Sequence, residues 1–213
     1  KAMKDAVDVP ISVKHRLGLD SMDASSSKAD YQFALDFILS VADAGASQVT
    51  IHARNAVLKG LSPKENRSKP PLRYEVAAQL RLDAQKLFPD LKVLLNGGLE
   101  SNEQIAGHWN DFDGFMIGRA AYHFPAMLLG WDDLIRTNGD AAGYLFSETE
   151  WHRIQIALVK QVQAWFDECK EKGKPFYIGA FTRHILGLAH SRAGSRYWRQ
   201  RLSDHHALAK VQS

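Results

Sequence analysis

A single cysteine, Cys169, stands in 213 residues. One thiol cannot form an intramolecular disulfide or a paired-cysteine zinc site, and it suits a reducing compartment. Long apolar runs are missing as well. No stretch approaches the roughly 18 consecutive apolar residues of a membrane helix, and the N-terminal residues lack the basic, apolar and small-residue order of a secretory signal. Low-complexity tracts and close internal repeats are absent. The expectation is a globular, cytoplasmic protein with no membrane partner and no metal. At 45% hydrophobic residues the chain can bury a substantial core. Lys1 to Val7 reads as the end of an amphipathic helix running into Asp8-Val9-Pro10, so the natural start is expected upstream of Lys1.

Charge is unevenly spread. The chain carries +3 overall, yet Lys174 to Ser213 holds seven basic residues (Lys174, Arg183, Arg192, Arg196, Arg199, Arg201, Lys210) against Asp204, which is +6 and leaves −3 elsewhere. A basic end suits a polyanion, although a solvated helical face explains it equally well.

Short apolar runs alternate with helical patterns. Ile11 to Lys14, Gln48 to Ile51, Lys92 to Leu95 and Gly114 to Ile117 have strand length and bulky or β-branched content, as four buried parallel strands would. Between them the spacing predicts helices over Tyr31 to Ala44 and Val76 to Leu87. In the first, Leu35, Phe37, Ile38 and Val41 are the buried candidates. Ser101-Asn102-Glu103-Gln104 reads as a capping box. After Pro125 no strand is expected. Met127 to Ile135 looks helical, Thr137 to Asp140 breaks the chain, and Ser147 caps a helix carrying Trp151, Ile154, Leu158, Val162, Trp165, Phe166 and Cys169 at helical spacing. Tyr177 to Leu188 and Tyr197 to Leu208 read as further helices. The expected division is an α/β domain over 1–136 and an all-α domain over 137–213.

In βα barrels and open α/β sheets, functional side chains gather at the C-terminal ends of strands. Lys14 and His52 fall there; alone, Lys14 suits a rim charge and His52 a structural hydrogen-bonding group. Asn96-Gly97-Gly98 and Gly118-Arg119 follow the last two strands. Glycines let backbone amides approach an oxyanion, and an arginine adds donors, so the two turns form a phosphate cradle. Plain turn-making, with Arg119 paired to an acid such as Asp113, is the alternative. Ile51 to Arg67 runs from a strand end into a basic loop whose Lys64 and Arg67 can reach RNA phosphates or bases. Arg196 and Arg199 lie three apart on one helical face around Tyr197 and Trp198, and Trp198 is assigned to the core.

Val13-Lys14-His15-Arg16-Leu17-Gly18, Ile51-His52-Ala53-Arg54, Asn96-Gly97-Gly98, Gly118-Arg119 and Leu61-Ser62-Pro63-Lys64-Glu65-Asn66-Arg67 resemble the motifs of A-type tRNA-dihydrouridine synthases. The resemblance extends over nearly the whole chain. It implies the second half of a TIM (β/α)8 barrel followed by an all-α domain that binds tRNA. It also implies reduction of D-loop uridine to 5,6-dihydrouridine with FMN as flavin and NADPH as reductant. A hydride would go to C6 of a flipped-out base and a proton to C5. By resemblance, Lys14, His52, Asn96, Gly97, Gly98, Gly118 and Arg119 contact FMN. Lys64, Arg67, Arg196 and Arg199 form the tRNA signature, and Thr182 to Gly187 makes Arg183 a secondary RNA contact. The family's proton donor is a cysteine in an Asn-x-x-Cys-Pro motif, which this sequence lacks. Cys169 does not fit that role, so the donor is expected upstream of Lys1 and no catalytic residue is assigned. A half barrel leaves open sheet edges, so the chain alone is expected to bind FMN weakly, to be inactive, and to be poorly soluble unless paired. The full-length form is expected to be monomeric. Two rival readings stand beside this one: another FMN barrel oxidoreductase acting on a small molecule, and a non-catalytic RNA-binding protein.

Overall fold

The structure is a computed structural model that describes residues 1–19, 28–140 and 147–204, with the side chains of residues 28 and 29 left aside. It falls into two compact units, Lys1–Gly118 and Arg119–Ser213.

The first unit opens with a short helix, α1 (Ala2–Ala6), which buries none of its residues. Strand β1 (Ser12–Arg16), helix α2 (Lys28–Asp43), strand β2 (Gln48–His52), helix α3 (Tyr74–Leu87), strand β3 (Lys92–Asn96), helix α4 (Asn102–Gly107) and strand β4 (Gly114–Met116) follow. The four strands are parallel and pair in chain order, β1-β2-β3-β4. Each crossover therefore steps one strand in the same direction. That is the winding of a βα barrel and differs from the reversal at the switch point of a doubly wound sheet.

Side chains on a strand alternate between faces, and the two faces here differ in chemistry. Val49, Ile51, Val93 and Leu95 have no exposure and pack with Ile38 of α2 and with Ala77, Leu80 and Ala84 of α3. Burying each large aliphatic side chain stabilises the unit by about 1.5–3 kcal/mol. Tyr31 of α2 donates to Asp83 of α3 at 2.6 Å and ties the two helices together. The opposite face carries Lys14, Arg16, Thr50, His52, Leu94, Asn96 and Met116.

Sequence reading placed these elements well and erred at their edges. Strand β1 does not stop at Lys14 but runs on to Arg16, because Lys14 and Arg16 both sit on the polar face and no alternation is broken. Phe37, expected to be buried, stays 38% exposed, with its ring 5.1 Å from that of His15. The capping box at Ser101 is present, with Gln104 N–H donating to the Ser101 hydroxyl at 3.3 Å and the Gln104 amide returning to the Ser101 N–H.

Among its described residues the second unit holds helices joined by turns and no strand. It comprises α5 (Arg119–His123), a 3-10 segment (Pro125–Gly130), α6 (Trp131–Arg136), α7 (Glu148–Glu171), α8 (Ile178–Thr182) and α9 (Ser195–Ser203). The single helix expected from Met127 to Ile135 is divided into the 3-10 segment, with Pro125 in its first turn, and α6. Asn138 and Gly139 end α6 with positive φ. The Ser147–Glu150 capping box opens α7, and all seven apolar positions predicted for its inner stripe are half-buried or buried. Trp165 and Phe166 meet Phe176 at 4.7 and 5.2 Å, and Cys169 is buried. Of the expected helix over Tyr177 to Leu188, only Ile178–Thr182 is α-helical; irregular turns follow. Residues 205–208 of the last expected helix lie outside the described residues.

Candidate functional site

The C-terminal strand ends line up in one register row: Arg16, His52, Asn96 and Met116. One step earlier on the same face stand Lys14, Thr50, Leu94 and Gly114. Parallel pairing thus brings Lys14, His52 and Asn96 to one edge of one sheet. The Lys14 side chain is exposed as a whole, yet desolvation, with the Arg16 guanidinium adding repulsion, draws its ammonium below the usual range. Desolvation also lowers Arg16, and Arg67 lowers it further. Three cations therefore approach one another, an arrangement that anionic or electron-rich matter would relieve.

The turn after β3 is built around His52. Gly97 has φ +107°, and a Cβ there would lie 2.5 Å from His52 Cδ2 and 2.8 Å from its Nε2. Gly98 has φ +67°, and its Cβ would meet Leu72 at 2.5 Å. Both glycines are required by backbone conformation and by space. Tyr74 donates its hydroxyl to Gly97 O at 2.7 Å, and desolvation raises its pKa, so it stays a donor. Asn96 Nδ2 donates to Met116 O at 2.7 Å and locks the end of β3 to the end of β4. Ala53 N–H donates to Asn96 O at 2.9 Å and locks it to β2.

Gly118 closes the first unit two residues after β4. It has an ordinary φ, and a Cβ on it would meet nothing within 4 Å. Arg119 is exposed and opens α5 in the second unit. Asp113, the acid offered as a partner for Arg119, is held by Arg81 at 3.0 Å and by the Val93 N–H at 2.8 Å.

The basic loop is an ordered structure. Ser62 and Glu65 cap one another, with Ser62 N–H donating to Glu65 at 2.9 Å and Glu65 N–H donating to Ser62 at 3.3 Å. The 3-10 turn Glu65–Arg67 follows. Lys69 also pairs with Glu65, and with the Ser62 bonds it holds that carboxyl near pKa 2. Lys64 and Arg67 are exposed on this turn. Asn66 points inward: its amide donates to Val57 O, and its Oδ1 accepts from Val57 N–H at 3.1 Å. Arg16 donates to Asn66 O at 2.8 Å, to Asn66 Oδ1 at 3.1 Å and to Asn55 O at 2.9 Å. Beneath the loop, Arg54 donates to Pro70 O and Arg73 to Asn55 Oδ1 at 3.4 Å, all within a buried layer.

In the second unit Arg183, Arg196 and Arg199 are exposed. Arg183 and Arg199 line one cleft, and Arg196 lies outside its lining. Trp198 belongs to the packing, as expected: its indole N–H donates to Ile185 O at 2.9 Å and its ring lies 5.1 Å from Trp151. Gly187 permits a close backbone approach within this unit, because a Cβ there would sit 1.6 Å from His123 O. Tyr74, Asn66 and Gly187 escaped sequence reasoning as site-forming residues. The Ser62-x-x-Glu65 spacing, which sequence reasoning passed over, is the signal that could have shown the loop to be built.

A sequentially wound parallel sheet, cations on its inner face and a glycine turn moulded to a strand-end histidine define a protein of the TIM-barrel class. Within that class the chain belongs to the dihydrouridine synthase family, whose family model matches residues 1–212. It is 44% identical over 210 residues, 98% of this chain, to the tRNA-dihydrouridine(20/20a) synthase of Pseudomonas aeruginosa. The enzymes of that name from Pseudomonas putida and Escherichia coli K12 are 42% and 38% identical over 99% and 96% of this chain. The chain spans 57%, 56% and 53% of those three relatives, about half their length. Among the described residues no helix is long and apolar enough to cross a membrane.

Proposed function

We propose that this chain serves a flavin-dependent, NADPH-driven reduction of uridine to 5,6-dihydrouridine in the D-loop of tRNA. The observation that carries the proposal is the moulding of Gly97 onto the His52 ring at the end of a row that includes Arg16 and Asn96. It supports a flavin phosphate and ring site because the face is cationic and the turn admits no side chain. In this reading Lys14, His52, Asn96, Gly97 and Gly98, with Gly118 and Arg119, hold FMN. When bound, the reduced flavin supplies the hydride that saturates uracil.

The chain's own residues set the place for that chemistry. Asn96 and Tyr74 hold the glycine turn rigid through Met116 O and Gly97 O. Lys14 keeps positive charge on the inner face, where it steadies electron-rich carbonyl groups. Lys64 and Arg67, with Arg183, Arg196 and Arg199, contact the tRNA backbone, and 137–213 acts as the tRNA-binding domain. Arg16 joins the two functions, since it stands on the inner face and also fixes the loop that bears Lys64 and Arg67. In this reading the full-length protein is a monomer, works in the cytoplasm and uses no metal.

Mass spectrometry of tRNA from cells that lack dihydrouridine, complemented with a full-length gene that includes the sequence of this chain, tests the proposal. The expected result is a gain of two hydrogens at D-loop uridines, lost with Lys14→Met. Full complementation by the Lys14→Met, His52→Ala double variant would overturn the site assignment.

A further inference from the structure

The helical unit contains a cleft of about 450 Å³ that the residues assigned to FMN leave unused. Tyr122, Phe124, Arg183 and His190 line it together with Ser195 and Arg199 of α9. Ligand pockets run from about 300 to 1,000 Å³, so this cleft takes a single nucleotide and excludes a duplex.

Its chemistry is one-sided. Among the described residues that line it, two are arginines and none is a carboxylate. Arg183 Nε donates to Gly179 O at 3.0 Å, which fixes where its guanidinium fork stands before any ligand arrives. The aromatic wall is fixed in the same way. Phe124 and His190 have ring centroids 3.9 Å apart, and Tyr122 makes edge contacts with His123 at 5.5 Å and His184 at 5.8 Å. Tyr122 is nonetheless 51% exposed. A braced, half-exposed aromatic ring beside two guanidinium groups has the components of a base-stacking platform with a phosphate clamp.

We propose that this cleft binds one unpaired RNA nucleotide, with its phosphate between Arg183 and Arg199 and its base against Tyr122 and the Phe124–His190 wall. The inference rests on the reading of Arg183 and Arg199 as RNA contacts and adds a base-holding site to it. The nucleotide is unpaired because only a base free of its helix can turn its face to a protein aromatic.

The test measures binding of the full chain to a tRNA transcript, a single-stranded oligoribonucleotide and a blunt RNA duplex, with NADPH as competitor. Tyr122→Leu and His190→Ala, both at exposed positions, are expected to weaken the single strand about tenfold while leaving the duplex unchanged. Arg183→Gln with Arg199→Gln is expected to reduce the salt slope for the single strand by about 0.7. Unchanged single-strand affinity in both aromatic variants would overturn the proposal, as would displacement of the oligonucleotide by NADPH. Lys64→Gln with Arg67→Gln separates the two readings. If that pair weakens tRNA while every cleft variant binds normally, the cleft proposal fails alone. If no variant alters tRNA affinity, the RNA-contact reading fails with it.

Discussion

Gly97 is the residue on which most of the candidate site depends. A methyl group there would enter the space of the His52 ring at 2.5 Å, in a backbone conformation that side chains avoid. Gly97→Ala is therefore expected to destabilise the first unit by about 1–3 kcal/mol and, on the function proposed above, to abolish flavin binding by the full-length protein, read by thermal melting and by quenching of flavin fluorescence. Asn66 is the corresponding position in the loop, because Arg16 and both polar groups of Val57 converge on it. Asn66→Ala should cost about 1–3 kcal/mol locally. Limited proteolysis should then cut at Lys64 or Arg67, with tRNA binding lost. Intact loops in that variant would show that the Arg16 contacts are dispensable. The sequence made the glycines visible because no other residue type would be placed in succession at a strand end. Tyr74 and Asn66 were invisible because their side chains bond to groups outside their own turn, the Gly97 carbonyl for Tyr74 and the Val57 backbone and Arg16 for Asn66, and such contacts leave no periodic trace.

Among the elements, strands and helices were legible where their apolar spacing was regular. The α7 stripe and the capping boxes at Ser101 and Ser147 followed from local chemistry alone. The end of β1 was harder, because a lysine looks like a strand terminus until its neighbour two residues on is known to share its face. Asp113 joins β3, β4 and α3 through Arg81, Gln85 and the Val93 N–H. Burial pushes its carboxyl upward, but Arg81 and the Val93 N–H outweigh burial and hold it below the usual range. A carboxyl depressed in the folded state stabilises fully above its unfolded pKa of about 3.9 and loses that contribution as pH falls toward the lower folded value. Acid titration of the first unit should show this loss below about pH 4, and Asp113→Asn should be less stable at neutral pH with a flatter acid limb. An unchanged acid limb in that variant would remove Asp113 from the account.

For the whole molecule, the two compact units imply separable stability. Gly187→Ala places a methyl against the His123 carbonyl and should unfold residues of the second unit first. Gly97→Ala should act on the first. Residue-resolved hydrogen exchange on the two variants should give complementary patterns of lost protection, whereas uniform loss in both would show a single cooperative body. The basic end was legible from composition, and Arg183 and Arg199 were named individually. That they share a cleft with Tyr122 was not, since the fold brings together segments some sixty to eighty positions apart.

The chain-order pairing of the strands also bears on synthesis. Ser12 waits only for Gln48, Gln48 only for Lys92, and Leu94 only for Gly114. Among the four described strands none must hold a place open for another of the four made much later. As the polypeptide leaves the ribosome, each of these strands meets an edge already formed, so this part of the sheet can grow by accretion while its two outer edges stay open.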